Sequence, residues 1–128
     1  MTAKDLINYW KIGADQALDT AEILFKNKRY DHCLFFTHLA VEKIIKGLVV
    51  KKTDRAAPPI HNLVTLAEQT GINPTLKQQE ELKEITSWNV RARYDEIKFS
   101  LYRKATEKYT NLWFNKAKEY VLWFKKYY

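Results

Sequence analysis

The chain has one cysteine, three glycines and three prolines in 128 residues, and each scarcity excludes something. A lone Cys33 rules out an internal disulfide, and with it the stapled framework of a small secreted domain. The glycines stand singly at positions 13, 47 and 71, so no glycine-rich loop cradles a phosphate. No apolar run approaches the roughly 18–20 residues that span a bilayer. The first residues carry charge from Lys4 onward and lack the apolar stretch of a signal peptide. A cytoplasmic protein away from any membrane is therefore the expectation. No Cys/His spacing suits zinc and no carboxylate pair stands at catalytic spacing, so neither a metal nor a cofactor is expected. Histidine is scarce too, and none follows His61.

What is present is helix-forming and basic. The composition is 46% hydrophobic and 29% charged, with 14% aromatics, which fits one folded domain spanning residues 1–128. The net charge of +7 is uneven. Residues 1–50 hold seven Lys/Arg against six Asp/Glu, and 51–128 hold fifteen against nine. An anionic partner meets the second half first, although an excess of this size also occurs in proteins that bind nothing anionic.

The apolar period points to about five helices. Leu6, Trp10, Ala14, Ala17, Ala21 and Leu24 recur at three- and four-residue steps, predicting an amphipathic helix over about 3–26. Asn27 to Arg29 then break the pattern, Asn being tolerant of a left-handed C-cap. Asp31 is the expected N-cap of a second helix reaching about Lys52. Its middle, from Cys33 to Val41, is apolar nearly all round, so this helix belongs at the centre. A basic loop ends in Pro58-Pro59. A short third helix over about 61–67 stops at Gly71, and Thr75 with Gln78 forms a capping box for a fourth from Leu76 to about Trp88. Residues 89–100 resist assignment, and a last helix is expected from Leu101 to Phe124. The expected fold is all-α, an up-and-down antiparallel bundle.

Few side chains suggest chemistry. His32 and His38 lie six residues, or about 600° of helical turn, apart, so they cannot share a metal. His38 reads as a satisfied core histidine and Cys33 as a buried filler. Glu42 and Lys46 stand at i and i+4. They form either an intrahelical pair or a charged rim where the central helix leaves the core. His61, after Pro58-Pro59-Ile60, either caps the third helix or meets a phosphate at its free N–H groups. Trp88-Asn89-Val90-Arg91-Ala92-Arg93-Tyr94-Asp95 sets two guanidinium forks beside aromatic rings, a combination that suits phosphate contact and base stacking. Arg93 paired to a buried carboxylate, with Tyr94 packed, is the structural alternative.

Three of these elements, in this order, resemble the HEPN domain family (higher eukaryotes and prokaryotes nucleotide-binding). They are Ala40-Val41-Glu42-Lys43 with Lys46, Pro58 through His61 to Leu63, and Ala92-Arg93-Tyr94. The resemblance spans about residues 3–124. It implies a helical bundle, often a homodimer, associated with nucleotide chemistry and commonly found beside a separately encoded minimal nucleotidyltransferase, as in two-component or toxin–antitoxin-like systems. Ribonuclease members of the wider superfamily carry Arg, four to six residues, then His, near the position of Arg91. This chain has no such histidine. Arg55 to His61 fits the spacing but crosses the Pro58-Pro59 loop. The expectation is thus a binding module rather than an enzyme, taking a nucleotide, RNA or a nucleotidyltransferase partner through Lys43, Lys46, His61, Arg91, Arg93 and Tyr94. The rivals are a metal-independent ribonuclease or toxin using Arg55 and His61, and a purely structural dimer. The aromatic surplus of Tyr102, Tyr109, Trp113, Tyr120, Trp123, Tyr127 and Tyr128 favours an interface.

Overall fold

A computed structural model describes residues 1–91 and 94–128 and shows six helices with no strand among them. They are α1 (Ala3–Lys26), α2 (Tyr30–Thr53), α3 (Leu63–Gln69), α4 (Leu76–Thr86), α5 (Asp95–Lys104) and α6 (Glu107–Lys125). The all-α bundle is as expected, with six helices where about five were expected.

The difference lies after Trp88. The unassigned stretch begins α5, and the helix expected over 101–124 is broken at Ala105, whose ψ of 62° leaves the helical region. Thr106 then caps α6, accepting from the Tyr109 amide at 3.2 Å. Because a threonine cap costs an apolar pattern nothing, the periodicity ran through the break. Three smaller readings are also corrected. Arg29, not Asp31, is the N-cap of α2, and Asp31 lies inside the first turn, where its charge suits the helix dipole. Lys28, with φ of 59°, takes the left-handed position after α1, whereas Asn27 does not. Asn62, not His61, caps α3, accepting from the Thr65 amide.

Helix α2 is the axis of the bundle. No residue from Cys33 to Val50 is fully exposed. Its neighbours are α1 through Ala14, Ala17 and Ala21, α6 through Ala117, Val121 and Phe124, and α3 through Leu63, Leu66 and Ala67. Alanines at three- and four-residue steps let the α1 backbone come close, and Gly47 does the same from the α2 side. A Cβ at Gly47 would lie 2.9 Å from Trp10 Cβ and against the Tyr128 hydroxyl, which itself donates to the Ile44 carbonyl.

The far side is closed by aromatics working inward. Trp88 is fully buried, donates through Nε1 to the Tyr109 hydroxyl at 2.9 Å and meets Trp113 edge-on. Tyr109 in turn donates to Glu84, and Tyr120 donates to Glu81 at 2.7 Å. Most of the rings offered as an interface surplus are thus spent within one copy. Only Tyr102 and Tyr127 of that set stand exposed.

Candidate functional site

Four residues of α2 form a stripe at three- and four-residue steps: Phe35, His38, Glu42 and Lys46. The proposed site residues attach to the two ends of this stripe, and the structure separates them into two groups. Phe35 and Lys46 stand eleven residues, or about 16 Å of helix, apart.

At the Lys46 end sits a buried carboxylate. Glu42 and Lys46 are 5% and 6% exposed, so their pair, at 3.1 Å, is an interior one and not a solvated rim. The proline-ended loop carries His61 back onto α2, where its Nδ1 donates to Glu42 Oε1 at 2.9 Å. His38 Nε2 lies 3.3 Å from the same oxygen but out of line for a hydrogen bond, and its Nδ1 has no partner among the described residues. Burial raises the Glu42 carboxyl, but His38, His61 and the Lys46 charge overcome it and hold the group at about 2. Lys46 also lies 5.6 Å from the Trp10 ring centroid. Lys43 turns toward α1, close enough that a Cβ on Gly13 would stand 3.2 Å from its Cδ. Lys46 is therefore neutralised by Glu42, and the His61 bond to the same carboxylate ties the α2–α3 loop to the central helix.

At the Phe35 end positive charge predominates. The Arg91 guanidinium lies 5.6 Å over the Phe35 ring, and Phe35 and His38 have ring centroids 6.4 Å apart. Beneath Arg91 is a depression of about 330 Å³ walled by His32, Phe35, Val90, Lys98 and Leu101. A second, of about 430 Å³, continues past Tyr30 and Tyr102 toward Lys28, Arg29 and Arg103. The two share Asp31 and His32 as walls, so they adjoin between the start of α2 and α5, and together are called the groove. Five cations line it, Lys28, Arg29, Arg91, Lys98 and Arg103, against the single carboxylate of Asp31. None of these charges is in an ion pair among the described residues. Tyr94, 80% exposed, stands at the N-cap of α5 without a side-chain cap bond. Arg93 lies outside the described residues.

Sequence reasoning found Arg91 but missed the rest of the groove, because nothing in the linear pattern shows that Lys98 and Arg103 face the start of α2. The spacing of Phe35, His38, Glu42 and Lys46 was the available signal for the stripe. Arg55 sits exposed on the loop, its backbone amide bonded to Thr53 Oγ1, and His61 is engaged by Glu42 instead. Among the described residues no group of three His, Cys, Asp or Glu side chains could hold a metal ion, and no helix is long and apolar enough to cross a membrane.

The model of one protein family, described as the HEPN domain, matches residues 7–127. The chain belongs to the HEPN family. No curated protein and no solved structure matches it. This HEPN domain covers nearly the whole chain, so the stripe on α2 and the groove at its start both lie inside the domain.

Proposed function

We propose that this HEPN domain is a binding module that takes a phosphate-bearing, base-containing ligand, a nucleotide or an RNA segment, in the groove under Arg91. The carrying observation is the Arg91 guanidinium set over Phe35 at the mouth of a groove with five cations and one acid. Guanidinium and ammonium groups contact phosphate, while Phe35, Tyr30 and Tyr102 offer faces on which a base stacks. Arg93 and Tyr94, directly following, belong to the same proposed site. Lys43, Lys46 and His61 contribute indirectly, by holding the loop and α1 against the stripe. A homodimer serving a separately encoded nucleotidyltransferase is the assembly that the family resemblance supports. The ribonuclease alternative has less support, because His61 is hydrogen-bonded to Glu42.

The test is binding of labelled oligouridylate, with ATP as competitor, to wild type and Arg91→Ala. The substitution should weaken binding by about 1–3 kcal/mol, the worth of a charge-assisted contact. It should leave stability within about 0.5 kcal/mol, as for other exposed positions. Wild-type affinity should fall steeply between about 50 and 200 mM salt. Salt-independent binding, or binding that Arg91→Ala leaves intact, refutes the groove.

A further inference from the structure

Helix α5 buries a single residue, Leu101, and Lys104 at its C-terminal end pairs with Glu84 of α4. Its opposite face is left to solvent. At about 100° per residue, Asp95, Glu96, Phe99, Tyr102 and Arg103 fall within about 120° of arc on the side away from Leu101, with Tyr102 and Arg103 at its border with the groove. All five are exposed, Phe99 at 57% and Tyr102 at 62%. The two rings stack, with centroids 6.1 Å apart, and Arg103 lies 6.0 Å from the Phe99 centroid. A depression of about 410 Å³ opens beside Phe99, between Glu96 and Arg103. The face therefore runs acid, aromatic, base along the nine residues from Asp95 to Arg103.

We infer that this face is a self-association surface, on which α5 of a second copy packs antiparallel about a two-fold axis beside Phe99. The inference rests on the homodimer part of the proposed reading and names the surface. In that arrangement Asp95 stands opposite the partner's Arg103, and Arg103 opposite the partner's Asp95. Glu96 meets the partner's Tyr102, and the two Phe99 rings meet at the axis. A two-fold contact must be complementary to itself, and an acid-to-base order with aromatics at its centre satisfies that condition. The exposed apolar residues of α1 and α6 do not. Tyr9, Ile12 and Ile23 of α1 are interrupted by Gln16 and Asp19, and Leu112 and Leu122 of α6 by Asn115 and Glu119. Because Tyr102 and Arg103 also line the groove, the two grooves of a dimer flank its axis.

Asp95 and Arg103 lie about 12 Å apart along one helix, too far to pair within a copy. Their placement also suits the helix dipole, and charge reversal separates the two explanations. Sedimentation equilibrium without nucleic acid, over a wide protein concentration range, reads the assembly. Wild type should rise from the 15.2 kDa chain mass toward twice that value. Asp95→Arg and Arg103→Glu should each weaken association by about tenfold or more, through like charges placed across the axis. The double variant should recover it, although its dipole placement is worse in both copies. Circular dichroism confirms the fold of each, and Phe99→Ser gives an independent break at the axis. A wild type that stays at the single-chain mass overturns the homodimer and this surface together. A dimer that Arg103→Glu leaves intact, or that the double variant fails to restore, overturns the α5 surface alone.

Discussion

Replacing Glu42 by glutamine keeps the shape of the side chain and removes its charge. Two consequences follow from the geometry. Lys46, 6% exposed, is left as a buried ammonium without its counter-charge, and His61 keeps only a neutral acceptor. The carboxyl is held at about 2 against an ordinary 4.5, which at about 1.4 kcal/mol per pH unit corresponds to about 3 kcal/mol of folding stability. Stranding one member of a buried pair costs about 3–5 kcal/mol, which agrees. The sign of the pH dependence is fixed by the direction of the shift. A depressed carboxylate contributes fully above about 4.5, and its contribution disappears as the pH falls toward about 2. Urea titrations of wild type and Glu42→Gln at a series of pH values should therefore show a gap of about 3 kcal/mol at pH 7. That gap should narrow progressively below about pH 4.5. In melting temperature it amounts to about 10 °C for a domain of this size. A glutamine variant as stable as wild type at pH 7, or a gap that holds constant into acid, refutes the reading of Glu42 as a buried anion held by Lys46 and His61.

Two further outcomes follow from the packing. Cys33 is buried, and burial pushes its thiol up to about 11 against a small opposing effect of Thr37. A thiol-specific disulfide reagent at pH 8 should therefore leave the native protein unlabelled and react fully in denaturant; rapid native labelling would show that Cys33 is reached from solvent. Gly47→Ala places a methyl against Trp10 and the Tyr128 hydroxyl, and the forced adjustment should cost about 1–3 kcal/mol in a denaturation midpoint experiment. A neutral result would mean that α1 and the C-terminal tyrosine yield without strain.

The parts legible in the sequence were those where local chemistry and packing agree. The span of α1 follows from its alanine and leucine steps, and the start of α4 from the capping box of Thr75 and Gln78, in which both reciprocal bonds form. The central place of α2 follows from its lack of a wet face. Helix α5 was hidden because its dry side is one leucine, too little for a period. The Glu42–Lys46 pair could be read from its spacing, but its burial could not. That burial depends on His61, nineteen residues away, and on Trp10 from another helix. The groove is likewise tertiary: its basic walls come from α5 and from the turn before α2, which no periodicity connects.

The near-complete enclosure of α2 divides the domain by how freely its residues can vary. Between Cys33 and Val50 nearly every side chain meets packed neighbours, and a close-packed interior registers even a methylene. Substitutions there are filtered by folding before any effect on ligand or partner is felt. The outward side chains of α5 and Arg91 itself are exposed, so they can change with small cost to stability. Variation on this scaffold is therefore channelled into exposed positions such as those of α5, while α2 stays fixed as the frame.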